Sequence, residues 1–144
     1  MDFLPMTGTY KHNLDSKHRI FIPAKLRDAL GTPIVVYPSI RDSSLKVCSA
    51  EEWRTYIAKL EVLPVKDRER VMRFFNQSGD TLTPDAQGRI VLNDDLVAHA
   101  ELEGVAVIVG CGKNVEIWSE KRYSEMKENE NIEDIRNVLE SFGL

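Results

Sequence analysis

The sequence predicts a mostly β chain with added helices (α+β), built from two tandem copies of one unit that exchange hairpins to form a single barrel. Three observations predict this class. The chain repeats itself at an offset of 70 positions, as from Asp15 to Asp85. Each copy holds short β-rich runs joined by turns and flanked by helical segments. A copy alone would leave exposed strand edges, so we expect strands of one copy to pair with strands of the other.

The repeat extends well beyond one motif and keeps a constant offset without a gap. The matched pairs are Asp15/Asp85, Arg19/Arg89, Ile20/Ile90, Ile22/Leu92, Leu26/Leu96, Leu45/Val115, Val47/Ile117, Ser49/Ser119, Trp53/Tyr123 and Tyr56/Met126. Such agreement predicts two copies related by a pseudo-two-fold axis. We place the first repeat at residues 8–53, connector helices at 54–79, the second repeat at 80–124 and an acidic C-terminal tail at 125–144.

In each copy a short strand is predicted to lead into a brief helix. The runs "RIFI" and "RIVL" are β-rich, Pro23 suits a first helical position, and Asn93 suits a helix cap. Two more strands follow in each copy: "PIVVYP" and "LKVCS", then "GVAVIVG" and "NVEIWS". Turns are predicted at "SIRDSS" and "CGKN".

Amphipathic helices are predicted after each copy and between the copies. Ser49 and Glu52 form a capping-box pattern before apolar residues at helical spacing, and a counterpart begins at Ser119. The run "DRERVMRFFNQ" predicts a connector helix whose apolar stripe is Val71, Phe74 and Phe75. A weaker stripe lies in acidic surroundings near the C-terminus, and we leave open whether it docks or frays. It consists of Ile132, Ile135, Val138 and Leu139.

The formal net charge of −4 is unevenly distributed along the chain. From Glu120 onward there are seven acids and four bases, whereas residues 17–27 hold four bases and no acid. A local basic patch is therefore expected despite the acidic total. No apolar run approaches the roughly 20 residues of a membrane span, and the first residues lack a secretory pattern, so we expect a cytoplasmic protein. Cys48 and Cys111 are expected to be buried, reduced thiols.

Enzymatic chemistry is not predicted. The three histidines, His12, His18 and His99, belong to no Ser/His/Asp or Cys/His pattern, and no glycine-rich phosphate loop is visible. Asp94 and Asp95 sit where acids complement a helix dipole. No catalytic residue, cofactor or metal site is expected.

Three stretches carry a resemblance to a known family: the doubled Asp-x-x-x-Arg strand entry, "NLDSKHRIFIPAKLR" and "VEIWSEKRY". Over roughly residues 7 to 126 the chain resembles the MraZ family, within the AbrB and SpoVT class of swapped-hairpin, double-ψ barrels. The resemblance implies a DNA-binding transcriptional regulator, associated with the nucleoid, that forms a homo-oligomeric ring. It further implies binding to short promoter repeats in double-stranded DNA and repression of its own operon, the division and cell wall cluster.

The resemblance carries over to Asp15, Lys17 and Arg19 in the first copy and to Asp85, Gly88 and Arg89 in the second. We expect both aspartates to close the turns by accepting backbone hydrogen bonds, together with Gly88. Each arginine matches guanine in the major groove, and lysines more often contact phosphate. The predicted DNA-binding set is Lys17, His18, Arg19, Lys25, Arg27 and Arg89. The alternative for each arginine is an ion pair with its own loop aspartate and nothing more.

Two positions depart from the family pattern, which has glycine at His18 and proline at Asn93. Glycine there permits a positive φ, so His18 is either tolerated in a left-handed turn or adds a DNA contact. In the second copy Asp94 and Asp95 follow the motif and the extra lysines are missing, which predicts the weaker DNA role for that loop. A protein-binding, antitoxin-like assembly module is the rival function, distinguished by binding that ignores salt and DNA sequence.

Overall fold

The computed structural model describes residues 5–144, which form eight strands, six α-helices and one short 3-10 helix. The first copy comprises β1 (Thr9–Asn13), β2 (Arg19–Phe21), α1 (Ala24–Leu30), β3 (Ile34–Pro38), β4 (Leu45–Ser49) and α2 (Ala50–Lys59). The 3-10 helix Leu60–Val62 and α3 (Val65–Ser78) connect the copies. The second copy comprises β5 (Asp80–Leu82), β6 (Arg89–Val91), α4 (Asp94–His99), β7 (Val105–Cys111), β8 (Asn114–Ser119) and α5 (Glu120–Asn129), and α6 (Ile132–Ser141) follows.

All strand pairs are antiparallel, and most of them join one copy to the other. A six-stranded sheet runs in the order β1-β7-β8-β4-β3-β5, and β2 pairs with β6 in a separate two-stranded ribbon. Within residues 5–144 only β3–β4 and β7–β8 are hairpins inside one copy. The pairs β1–β7, β3–β5, β4–β8 and β2–β6 each join the two copies. The α+β class and the predicted exchange of strands are confirmed.

The pseudo-two-fold axis passes between residues that are equivalent in the repeat. Ile20 faces Ile90 in the β2–β6 ribbon, and Lys46 faces Glu116 where β4 meets β8. Lys46 Nζ also forms an ion pair with the Glu116 carboxylate. Each pair is separated by the offset read from the sequence, so the sequence repeat is also a structural symmetry.

Both copies share one hydrophobic core. Ile20, Ile22, Ile90 and Leu92, from the ribbon and the residues after it, are almost fully buried. They belong to one cluster with apolar residues of β3, β4, β7 and β8. Burial of each such side chain contributes about 1.5–3 kcal/mol, and here the burying surface comes from the other copy as well. Neither copy has a complete core of its own.

The helix starts agree with the predicted caps, with one shift. Ser49 and Ser119 accept hydrogen bonds from the backbone N–H of Glu52 and Arg122, and Asn93 accepts one from Leu96. Pro23 lies one residue earlier than predicted, because α1 begins at Ala24 and Pro23 is its N-terminal flanking residue.

Two features differ from or extend the sequence expectations. Cys48 is buried, as expected, but Cys111 is exposed because it ends β7 next to the tight turn into β8. The C-terminal stripe forms a regular helix, α6, yet its apolar side chains stay exposed. None of the helices in residues 5–144 combines the length and hydropathy needed to cross a lipid bilayer.

Candidate nucleic-acid interface

The two loop tips, residues 15–19 and 85–89, have the same hydrogen-bonded geometry. Asp15 Oδ1 accepts from the backbone N–H groups of Lys17 at 2.9 Å and Arg19 at 2.8 Å. Asp85 Oδ1 accepts from the corresponding groups of Gln87 and Arg89, at 2.9 and 3.0 Å. In each copy the aspartate N–H also donates to the carbonyl of the arginine. These hydrogen bonds hold each turn around its aspartate carboxylate.

The same contacts stabilise the charged form of the aspartates. The backbone N–H of Arg19 is the main cause that lowers the pKa of Asp15, and the Arg19 side chain and the Lys17 N–H act in the same direction. The backbone N–H of Arg89 likewise lowers the pKa of Asp85. The lowered pKa means that both carboxylates keep their charge to a lower pH than an unperturbed aspartate does.

Each arginine uses one edge of its guanidinium within the protein. Arg19 Nε donates to Asp15 Oδ2 at 2.6 Å, and Arg89 Nε donates to Asp85 Oδ2 at 3.0 Å. The side chains are 31% and 29% exposed. Within residues 5–144 the Nη1 and Nη2 atoms of both arginines make no hydrogen bond to protein. The ion pair with the loop aspartate thus exists, and it leaves the outer donors of the fork available to a ligand.

Both arginines lie on the outer face of the β2–β6 ribbon. Ile20 and Ile90 point into the core, so their neighbours along each strand point to the opposite face. Arg19 pairs with Val91 and Arg89 with Phe21, which makes the arginines diagonal neighbours on one face. The Cα atoms of such neighbours are typically about 7–8 Å apart. A two-stranded ribbon is one of the shapes that the DNA major groove admits.

His18 adopts the left-handed conformation that its glycine-like position requires. Its φ is 59°, and the equivalent Gly88 has a φ of 83°. The His18 side chain is turned toward the second copy, where Nδ1 lies 3.3 Å from Asp94 Oδ1 at the start of α4. The left-handed turn is therefore tolerated, and the ring contacts a protein carboxylate.

Arg27 lies beside the loop of the other copy. Its Nε donates to the carbonyl of Ile22 at 2.7 Å, and its Cζ lies 5.4 Å from the centre of the Phe21 ring. A Cβ added to Gly88 would lie only 2.7 Å from Arg27 Cζ. Glycine at 88 therefore serves both the positive φ and the close approach of this side chain.

The charges that flank the two loops are exchanged relative to the sequence. The first loop, which is followed by basic residues along the chain, has the acid Asp94 of the second copy beside it. The second loop, which is followed by acids, has the base Arg27 of the first copy beside it. Lys17 and Lys25 are exposed on the first loop and on α1. Sequence reasoning missed the positions of Arg27 and Asp94, and only the β2–β6 pairing could have revealed them.

Comparison with known proteins identifies similar chains along nearly the whole length. A family model described as "MraZ protein, putative antitoxin-like" matches residues 6–75 and 77–141. The chain is 36% identical over 143 residues to a protein of Thermoanaerobacter sp. (strain X514), covering 96% of this chain and 99% of the relative. It is 38% identical to a protein of Heliobacterium modesticaldum and 40% identical to one of Pediococcus pentosaceus, each over 141 residues, 95% of this chain and 98% of the relative. All three relatives are named "Transcriptional regulator MraZ".

Proposed function

The chain belongs to the MraZ family, and we propose that it is a sequence-specific DNA-binding regulator of transcription. The observation that carries this proposal is the pair of aspartate-held arginines, Arg19 and Arg89, on the outer face of one ribbon. The names of the relatives support the same function and indicate no catalysis, so the proposal includes no enzymatic activity, cofactor or metal.

In this proposal Arg19 and Arg89 read bases. With Nε held by the aspartate, each guanidinium keeps two outer nitrogen atoms on a fixed plane. A fixed plane favours bidentate contact with O6 and N7 of guanine, which discriminates against other bases by roughly 1–3 kcal/mol. Asp15, Asp85 and Gly88 position the arginines and do not themselves contact DNA.

The remaining basic residues are assigned to the phosphate backbone. Lys17 and Lys25 are exposed and carry point charges suited to phosphate oxygens. Arg27 supports the second loop and offers its outer nitrogens to a phosphate beside it. His18 lies on the first loop, and its contact with Asp94 limits what it can contribute to DNA binding.

We further propose that several subunits bind together as a homo-oligomeric ring on tandem repeats in the promoter of the protein's own operon. One ribbon presents only two arginines, and such a small contact binds weakly by itself. Linked ribbons bind adjacent boxes at a high effective concentration, so affinity rises without any new contact. Occupation of the promoter would repress the division and cell wall cluster, with the protein in the cytoplasm and on the nucleoid.

The test is binding to DNA from immediately upstream of the protein's gene, compared with a scrambled fragment of equal length and composition. We expect a clear preference for the natural fragment that persists as salt is raised. Equal affinity for both fragments at every salt concentration would contradict sequence-specific regulation.

The rival function is an assembly module that binds a protein partner, and the "antitoxin-like" description of the family supports it. This rival function predicts that substitutions at Arg19 and Arg89 leave binding to the protein partner intact. The same binding experiment separates the two functions, because a protein-binding module shows neither sequence preference nor a steep dependence on salt.

A further inference from the structure

Helix α6 presents an apolar face that its own chain does not cover. Ile132 is 76% exposed and Phe142 is 79% exposed, and Ile135, Val138 and Leu139 are exposed along the same face. The helix nevertheless has an N-terminal cap, because Asn131 Oδ1 accepts a hydrogen bond from the backbone N–H of Asp134 at 2.8 Å. Among the described residues, α6 makes no extensive contact with another element. An amphipathic helix of this kind is suited to binding in an apolar groove.

A groove of matching character lies at the other end of the sheet. It has a volume of about 470 Å³ and is lined by Ile40, Leu63, Asp67, Arg70, Val71, Phe74 and Phe75. We call it the α3 groove, because α3 supplies most of its lining. Ile40, in the turn between β3 and β4, is 58% exposed at its edge.

The charges of the helix and the groove are complementary. Helix α6 contains three acids and one base, whereas α3 contains four bases and two acids. Arg70 and Asp67 both line the groove, and the excess of bases comes from Lys66, Arg68 and Arg73 elsewhere on the same helix. An acidic helix that docks there would bury apolar side chains while its charged edges face bases.

The topology favours a groove of another copy as the docking site. Helix α5 packs on β7 and β8, and only Glu130 and Asn131 separate it from α6. Helix α3 packs on β3, and α2 packs on β3 and β4, between α5 and α3. Helix α6 therefore follows a helix that packs toward one end of the sheet, whereas the α3 groove lies beside β3 toward the other end. When a helix at one end of a subunit binds a groove at the opposite end of the next subunit, the copies are joined head to tail. Repeated contacts of this kind form a closed ring if the rotation between successive subunits brings the last one back to the first.

We propose that α6 of one copy docks into the α3 groove of a second copy, so that identical contacts link successive subunits. This inference rests on the proposed oligomeric regulator and names the surfaces that assemble it.

The test uses full-length variants and sedimentation without DNA. The helix variant carries Ile135→Asp and Leu139→Asp, with Asn137→Asp on the opposite face of α6 as its control. The groove variant carries Ile40→Asp, with Val62→Asp as its control, because Val62 is exposed and does not line the groove. We expect the helix and groove variants to sediment as monomers of 16.4 kDa and both controls to assemble like the wild type. All substituted side chains are exposed or partly exposed, and near-UV circular dichroism checks that each variant is folded.

Mixing the two monomeric variants gives the decisive measurement. One retains an intact groove and the other an intact helix, so a head-to-tail contact predicts a one-to-one pair and no larger species. Helix variants that stay assembled, or a mixture that forms no pair, would overturn the inference and indicate that α6 binds elsewhere. Affinity for a single DNA box, measured on the monomeric variants, reports the proposed function separately. If the monomeric variants bind one box as a wild-type subunit does, the assembly contact and the reading of DNA are separate properties. A wild type that is itself monomeric would overturn both the head-to-tail contact and the proposed ring, and would leave the proposed reading of DNA by Arg19 and Arg89 untouched.

Discussion

His18 Nδ1 lies 3.3 Å from Asp94 Oδ1, so the tip of the first loop contacts the start of a helix in the second copy. The exchange of strands between copies creates this contact, because β2 and β6 run side by side and carry each loop to the other copy's helix. It places a negative charge next to the loop proposed to approach DNA.

Replacing Asp94 by asparagine is expected to strengthen DNA binding without changing specificity. Asp94 is exposed near the proposed interface, so its charge repels phosphate, an effect of about 0.5–1 kcal/mol or roughly twofold to fivefold in affinity. Affinities for operator and random DNA should rise together, as measured by fluorescence anisotropy at low salt. Asp95→Asn is the control, because Asp95 carries the same charge one residue further along α4 and, within residues 5–144, forms no ion pair with the loop. An equal rise in both variants would show that Asp94 acts only through net charge.

Arg19→Ala and Lys17→Ala are expected to separate base reading from phosphate binding. Loss of a bidentate guanine contact should cost about 1–3 kcal/mol per engaged loop and bring operator and random DNA closer in affinity. Lys17→Ala should weaken both DNAs by a similar factor and reduce the slope of log K against log salt by roughly one. If Arg19→Ala reduced only the salt slope and kept the affinity ratio, Arg19 would be a phosphate contact.

Arg89→Ala extends this experiment to the second loop. The sequence flanks predict a smaller effect than at Arg19, because Asp94 and Asp95 follow the second motif. The structure places Arg27 beside the second loop and Asp94 beside the first, which favours losses of similar size. A loss of specificity in Arg19→Ala but not in Arg89→Ala would support the weaker DNA-binding role that the sequence predicts for the second loop.

Gly88→Ala is expected to destabilise the fold through two separable effects. The left-handed backbone costs a residue with a Cβ about 1–2 kcal/mol, and Arg27 must also move. Gly104→Ala is the matched control, since Gly104 has a φ of 69° and a Cβ there would meet nothing within 4 Å. Urea unfolding should show a larger decrease in the free energy of unfolding for Gly88→Ala than for Gly104→Ala. Adding Arg27→Ala to Gly88→Ala should remove the difference between the two glycine variants. Equal losses in the two glycine variants would mean that Arg27 moves aside freely.

Acid should open the first loop as Asp15 becomes protonated. The pKa of Asp15 is lowered in the folded protein, so its ionised form stabilises the fold above the pKa of the unfolded chain. That contribution is lost as the pH falls through the folded-state pKa. Asp15→Asn should therefore flatten the dependence of the free energy of unfolding on pH in the acidic range, measured by urea titration at several pH values. An unchanged pH dependence in Asp15→Asn would exclude this carboxylate as a cause.

The fragment 1–76 is expected to be unfolded or self-associated when produced alone. It retains β1 but lacks its partner β7, and Ile20 loses its strand partner Ile90 and the second copy's share of the core. Circular dichroism and sedimentation of the fragment, with the full chain as reference, provide the test. A cooperatively folded monomer of the fragment would show that one copy can complete a core by itself.

Much of this protein is determined by interactions between residues close in sequence. Asp15 bonds to groups two and four residues away, and Ser49 caps a helix three residues on, so the turns and helix starts can be predicted without the fold. The repeat offset also predicts the symmetry and the exchange of strands, because a single copy leaves its strand edges unpaired.

The tertiary structure alone decided which side chains lie beside each loop tip. Sequence order assigns Arg27 to the first loop and Asp94 to the second, and strand exchange reverses both assignments. The exposure of Cys111 and of the apolar face of α6 likewise depends on which distant elements pack nearby. Local sequence specifies hydrogen bonds within a few residues, whereas the environment of a side chain depends on pairing across some 70 positions. That pairing is settled only when the two copies complete one core.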